Sequence, residues 1–507
     1  MSELIVLTGS SLTLEQLMAI GRGAPVALCE DARVRMHQSE RWFSESGKDK
    51  ILSAKISWLT GVSAAEGRIE PVKRFILSHC AGMGDPLEPA VVRATMAARV
   101  NVLAKGLSGC RPICADVFIG MLNQRIVPIV PSRGAVGAAG SAPLAHLLRV
   151  ACGYGGEAWK DGVRMTASEA MAASTVLSPT EKEALSLING STLTVAMAGL
   201  VCAYSRRLMH TAEAACALSF EVVRADTDCL NVDALAARNQ RSAVQVAERL
   251  LNDLDGSEMV SEGRIPDPFS IRCAPAVLGA AREGLNEIEA LVMRELNGAC
   301  DNPLVLGEQH VVEGGNFHGA GVSMAMDRLK VLLTEVAAVS ERRTFRMTYG
   351  QLSGLPSFLV HGTGTNSGLM LAQYTAASLV SECKVWSHPA SVDSIPVAQH
   401  QEDHVSMGPI AARGAWQICH ALADVLAIEL MCGAQGLDFL LSGDGVNEHG
   451  EPVQTEPLRA GRGTVQTYDA VRCVVKRWRE DRVLHPDLDA LGRAVRQGVF
   501  VRRVENG

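Results

Sequence analysis

Apolar positions along much of this chain recur every three or four residues, the period of one helix face. The clearest run is 319–345, where Ala325, Leu329, Leu332, Val336 and Val339 alternate steps of four and three and predict a helix packed along a single seam. Shorter signals punctuate the pattern. ELIVL (3–7) predicts a short strand, and Thr13-Leu14-Glu15-Gln16 predicts a capping box, with Thr13 as cap and Gln16 reaching back to it. Ser178-Pro179-Thr180-Glu181 predicts another helix start, with Pro179 in the first turn. The most apolar segment, 185–204, is interrupted by Asn189, Ser191, Thr192 and Thr194, which predicts a buried helix and not a membrane span. ESGKDK (45–50) reads as a polar break. SGDGVNEHGEPVQTEPLRAGRG (442–463) reads as a long surface loop ahead of a helical C-terminal segment.

Composition narrows this picture. At 507 residues the chain is long enough for a large core and more than one structural region. It is 47% hydrophobic but only 4% aromatic, so small aliphatic side chains dominate, as close-packed helices or extensive subunit burial require. A net charge of −7, with both signs interspersed, leaves no basic field for nucleic acid. The 14 cysteines are scattered singly without a C-x-x-C pair, so no metal site is predicted and most of them act as small hydrophobes. MSELIVLTGSS carries Glu3 and no basic n-region. Together these predict a reducing, cytoplasmic setting.

One stretch stands apart. Residues 136–146 read VGAAGSAPLAH: almost no side chains, then an apolar segment. Gly137 and Gly140 open backbone angles closed to other residues, so a tight turn is predicted before a buried helix. The stretch resembles the VGASGDLAPLAH loop of the histidine, phenylalanine and tyrosine ammonia-lyases, whose internal Ala-Ser-Gly becomes the electrophile 4-methylidene-imidazol-5-one (MIO). By the resemblance, the electrophile position falls on Ala138, Ala139 and Gly140. Anchored on VG the family's serine meets Ala139; anchored on PLAH it meets Ala138. Neither side chain has a hydroxyl to expel, so the expectation from sequence is that MIO is absent and no other cofactor is present. The loop's one hydroxyl is on Ser141, and a ring drawn from Gly140-Ser141-Ala142 would need the nitrogen of Ala142, whose Cβ crowds the closure.

Other motifs follow the family's order over roughly 75–440. LSHCAGMGDPL (77–87) and VVRATMAARVNVLAKGLSGCRP (91–112) resemble the histidine-type lyases and put His79 on a substrate-pocket histidine. INGST (188–192) resembles LNGTQ, with Asn189 on the pocket asparagine and Thr192 in place of the glutamine. DPFSIRC (267–273) resembles the segment whose arginine, here Arg272, grips the substrate carboxylate; a planar guanidinium suits that task. Phe269 stands where that segment has a tyrosine and Pro266 where it has a glutamine. ISWLTGVS (56–63) places Ile56 on the other catalytic tyrosine. GGNFH (314–318) puts Asn316 and Phe317 on pocket positions, and QEDHVSM (401–407) puts Glu402 on the glutamate of the histidine-specific branch.

The resemblance implies a mainly α fold with a central bundle of long helices, of the fumarase and aspartase type. It also implies an N-terminal region (1–175) carrying the Gly/Ala loop, a bundle over 176–440 and a C-terminal part over 441–507. A homotetramer with sites shared between subunits is implied, with a small amino acid or imidazole carboxylate as ligand. Three functions stay open. The first is a histidine-type pocket that has lost MIO-dependent deamination and binds a ligand or supports a catalytic paralogue. The second is an enzyme of altered acid–base chemistry using Glu402, His79 or Cys80. The third is an active ammonia-lyase with its electrophile drawn from Gly140-Ser141-Ala142.

Overall fold

A computed structural model describes residues 3–46, 69–137, 141–261, 267–308, 310–362, 364–446 and 452–501. The fold is mainly helical, with a bundle of long helices. The described strands form only two- and three-stranded sheets. Chain packing divides it into two units. One holds residues 1–203, 288–327 and 389–413; the other holds 204–287, 328–388 and 414–507.

In the first unit, strand β1 (Ile5–Leu7) pairs in parallel with β2 (Val26–Leu28). Between them lies helix α1 (Leu14–Gly21), opened by Thr13 through a full capping box with Gln16. Helix α2 (Glu30–Glu45) follows. Next comes α3 (Ile69–His79), whose last residue is His79. Strand β3 (Met83–Pro86) pairs antiparallel with β4 (Pro131–Arg133), so the chain leaving His79 runs beside the chain entering the Gly/Ala loop. Helix α4 (Pro89–Ala104) is buried over nearly its whole length, including Arg93 and Arg99, and packs on α1 and α2.

Two further helices frame the loop. Helix α5 (Ala142–Ala151) starts at Ser141 and packs on α3 and on α6 (Glu181–Ile188). Thr180 caps α6 in a capping box with Glu183, so Pro179 lies one residue before the cap and not in the first turn as predicted. The box works because the Thr180 hydroxyl serves an amide the helix cannot, while the Glu183 carboxylate returns to the Thr180 N–H. Glu183 also takes a two-pronged bond from Arg111, at 2.7 Å on each oxygen.

The long helices are α7 (Thr192–Val222), α8 (Ala274–Leu296), α9 (Ala320–Thr348) and α10 (Gly408–Ser442), and each gives residues to both units. On α9 the predicted seam holds: Ala325, Leu329 and Val336 are buried, Leu332 and Val339 half-buried. Two stretches, Glu181–Val222 and Gly408–Ser442, are long and apolar enough to cross a membrane, but 94% and 83% of their most apolar windows are buried inside the protein. Both behave as core helices. In the second unit, the predicted surface loop after 442 contains a short hairpin, Asp444–Val446 against Pro452–Gln454, with helices at Arg462–Val474 and His485–Gln497 beyond it. Polar and glycine-rich sequence hid that hairpin, because strands so short carry no readable alternation.

Candidate active site

The Gly/Ala loop is held at both shoulders. On the entry side, Met407 N–H donates to the Val136 carbonyl at 2.7 Å and the Ser406 hydroxyl donates to the Gly137 carbonyl at 2.8 Å. Gly137 has φ +85°, and a Cβ there would collide with the Ser406 hydroxyl and come within 2.9 Å of Gly408 N. Only glycine fits. Ser406 is itself fixed, because Ser323 donates to its carbonyl at 2.6 Å. On the exit side, Ser141 N–H donates to the Ile188 carbonyl at 2.9 Å, tying the loop to the residue before Asn189. Ser141 is buried at the N-cap of α5, yet its hydroxyl makes no capping bond. Ala138, Ala139 and Gly140 lie outside the described residues, as do Ile56 and Pro266.

Asn189 is 2% exposed and terminates α6. Its Nδ2 donates to the Asn302 carbonyl at 3.0 Å, which turns Oδ1 the other way; among the described residues that buried oxygen has no partner. Arg99 lies directly behind, fully buried, donating to the Asn189 carbonyl at 2.8 Å and to the Thr192 hydroxyl at 3.0 Å. Its counter-charge, Asp301, stands at 3.7 Å, the same distance Asp301 keeps from Lys182. Arg99 Nε and one terminal nitrogen, together with Asp301 Oδ2, also have no hydrogen-bond partner among the described residues.

His79 sits half-buried at the end of α3, with Nδ1 2.7 Å from the Phe75 carbonyl. A carbonyl only accepts, so Nδ1 carries the hydrogen and Nε2 keeps its lone pair. Burial lowers the His79 pKa, the Phe75 hydrogen bond pushing weakly the other way, so the ring is neutral at neutral pH. Burial also pushes the neighbouring Cys80 thiol up, with Arg149 opposing, and Cys80 donates to the Ile76 carbonyl at 3.3 Å. A protonated, bonded thiol is a poor nucleophile or base, so Cys80 drops out of the acid–base candidates.

Glu402 is presented by a strained turn. Ala398, Gln399 and His400 have φ of 49°, 54° and 65°, the left-handed region that costs side-chain-bearing residues about 1 kcal/mol or more each. Val397 and Glu402 close the turn as an antiparallel bridge. Val397 packs with Val136 on the Val405 and Met407 cluster, so Glu402 lies on the turn braced against the loop's entry. Burial raises the Glu402 pKa above its ordinary value. Asn316 is exposed and Phe317 half-buried on a turn one residue ahead of His318. Behind that turn, Gly319 approaches so closely that a Cβ would lie 2.8 Å from Ser191 Cβ and 3.7 Å from the Gly137 carbonyl.

The first unit thus carries His79, Ser141, Asn189, Phe317 and Glu402; Ser141 ties the loop's exit to the residue before Asn189, and the Glu402 turn packs beside its entry. Arg272 belongs to the second unit, on the short helix Phe269–Arg272. It is exposed, and Phe269 is 74% exposed. Arg343 donates to the Ser270 carbonyl at 3.4 Å and so props that helix.

Sequence reasoning missed Ser406, Met407 and Arg99. Ser406 and Met407 follow Glu402 within the same quoted motif, and Gly137 needed a close neighbour. Arg99 is one of two cations, with Arg93, in the largely apolar run VVRATMAARV, a pattern that signals buried charge with a task.

The chain belongs to the aromatic amino acid lyase family, whose profile matches residues 12–472. Along its whole length it is similar to the histidine ammonia-lyase of Caldanaerobacter subterraneus subsp. tengcongensis, 38% identical over 97% of each chain. Among solved structures it resembles the histidine ammonia-lyase of Trypanosoma cruzi, at 33% identity and TM-score 0.85 over 98% of this chain and 94% of that one. It also resembles the tyrosine aminomutase of Streptomyces globisporus, at 28% identity and TM-score 0.87 over 99% and 98%.

Family membership corrects one expectation. The absence of MIO was argued from the missing hydroxyl at Ala138 and Ala139, but the family is the MIO-dependent one and the match runs through the loop, so the group is expected in this chain. The frame around the loop fits the group: both shoulders are pinned, Gly137 makes a cradle that a Cβ would fill, and Ser141 offers an uncapping hydroxyl at the loop's edge.

Proposed function

We propose that this protein is a carbon–nitrogen lyase acting on an α-amino acid with an imidazole side chain, with histidine as its substrate. What supports this reading is the full-length likeness to histidine ammonia-lyases around a Gly/Ala loop whose exit is bonded to the residue before Asn189 and whose entry packs beside the Glu402 turn. MIO, when present, would supply the electrophile, and Ser141, carrying the loop's one hydroxyl, with its neighbours Gly140 and Ala142 would be its source.

The remaining residues bind and orient. Arg272 grips the substrate carboxylate through its planar fork. Asn189 Oδ1, fixed by the bond its amide nitrogen makes, accepts from the substrate's ammonium. Glu402 and the His79 Nε2 lone pair face the two nitrogens of the imidazole, with Phe317 against its ring. Asn316 lies at the rim. With its pKa raised, Glu402 exchanges protons closer to neutrality than an ordinary carboxyl and is suited to take the β-proton or to hold the ring. The exposed Phe269 and Arg272 support a homotetramer in which a second copy covers them and completes the pocket. The same reading keeps the protein cytoplasmic, away from nucleic acid and membranes, with functional regions along the chain at 1–175, 176–440 and 441–507.

Phe269, without the hydroxyl its family position carries, favours a second reading in which the pocket binds the amino acid and supports a catalytic paralogue. One pair of measurements decides. Urocanate formation from L-histidine, together with an intact mass two waters short and a peptide map placing that loss at 138–142, is the expected result. Saturable histidine binding without urocanate establishes the second reading. Neither binding nor turnover overturns both.

A further inference from the structure

The segment carrying Phe317 and the segment carrying Glu402 meet at two histidines that the proposed chemistry leaves idle. His318 Nε2 lies 3.3 Å from the His404 carbonyl oxygen and 3.2 Å from the His404 ring nitrogen Nδ1. The two rings are 5.2 Å apart and only 21° from parallel. Because a carbonyl accepts only, His318 Nε2 must bear the hydrogen and donate. His404 Nδ1 faces that same hydrogen and must offer its lone pair, which puts the His404 hydrogen on Nε2. The His404 carbonyl therefore fixes the tautomer of His318, and His318 in turn fixes that of His404.

The placement gives the pair its leverage. His318 follows Phe317 directly, and His404 comes two residues after Glu402. On its other side Glu402 closes a strained turn with Val397. Val405, next to His404, is anchored by a bond from its N–H to the Ser394 hydroxyl at 3.0 Å. The Phe317 turn and the Glu402 turn thus share one side-chain link close to both functional groups.

We propose that His318 and His404 form an imidazole clasp that sets the spacing between the Phe317 ring and the Glu402 carboxyl, making both specificity-determining positioning residues. The inference rests on the reading that this pocket takes an imidazole amino acid. A spacing fixed by two flat, mutually oriented rings suits a flat side chain gripped between ring and carboxyl.

Amide isosteres separate the clasp from simple packing. Glutamine sets a donor where histidine has Nε2, and asparagine sets an acceptor where histidine has Nδ1. His318→Gln and His404→Asn therefore keep the side-chain link, while His318→Asn breaks it together with the bond to the His404 carbonyl and His404→Gln breaks the side-chain link alone. Affinity for L-histidine by thermal stabilisation, and KM where turnover occurs, should weaken about tenfold in the two breaking variants, the size of one lost hydrogen bond in a binding site. The two keeping variants should stay within about twofold of the parent, with kcat little changed in all four. Equal affinities in all four variants, with the parent still binding histidine, overturn the clasp alone. A parent that does not bind histidine overturns the reading beneath it, and the clasp's role in ligand choice falls with it.

Discussion

Two buried arginines show what separates scaffold from site here. Arg343, in the second unit, is fully enclosed and meets Glu429 through Nε at 2.5 Å and a terminal nitrogen at 3.0 Å. Ser219 and Ser340 donate to the same carboxylate at 2.7 and 2.5 Å, so each of its oxygens is used twice. Arg99, in the first unit, is as deeply buried, but its carboxylate stands at 3.7 Å and two of its nitrogens have no hydrogen-bond partner among the described residues. Its good bonds go to the backbone and side chain around Asn189. A closed network stabilises and rigidifies. An open one beside a candidate site retains unsatisfied polar atoms because something other than stability keeps them.

The largest expected effect lies in the closed network. Glu429→Ala strands the Arg343 charge in the core, and breaking such a pair from one side costs about 3–5 kcal/mol. The denaturation midpoint should fall steeply, and with it support for the Ser270 turn that leads to Arg272. A midpoint near the parent's would erase the contrast. Arg99→Met should cost less, about 1–3 kcal/mol, because Asp301 keeps Lys182. Its signature is a drop in histidine affinity of about tenfold, out of proportion to the stability lost. If R99M is instead as destabilising as E429A with affinity intact, Arg99 is scaffold after all.

The same contrast explains what the sequence made legible. Helix seams and the Thr13 box could be read from local pattern, since a capping hydroxyl and its partner lie three residues apart. His79, Asn189 and Glu402 could be put forward from sequence because each sits inside a contiguous motif. Ser406 on Gly137 bridges 269 residues, and Arg99 on Asn189 bridges 90. No period or spacing encodes such a pairing. The MIO expectation failed for a related reason: the local hydroxyl was readable, whereas the frame pinning the loop comes from distant segments.

Ser406→Ala tests that frame at a smaller scale. It leaves the buried Gly137 carbonyl without its hydroxyl donor, which costs about 1–2 kcal/mol. The loop's shoulder loosens, so a smaller fraction of molecules should show the mass deficit of two waters. Full dehydration in S406A would mean the exit shoulder at Ser141 suffices.

The smallest shift is in Glu402→Gln, and it reads the site's electrostatics directly. Burial raises the folded pKa of Glu402 above its ordinary 4.5, so the folded protein holds that proton more tightly than the unfolded chain. The resulting contribution to stability is fully present below the ordinary value and lost as pH rises through the raised one. Above both, the ionised carboxyl is a burden that a neutral amide does not carry. Glu402→Gln should therefore match the parent near pH 4 and become slightly the more stable of the two toward neutrality. His79 runs the other way, its lowered pKa giving stability that is lost as pH falls, so the gain must be measured as a difference between variant and parent at each pH. A flat difference across that range would place Glu402 in water, and a carboxyl in water has no elevated pKa with which to serve the substrate.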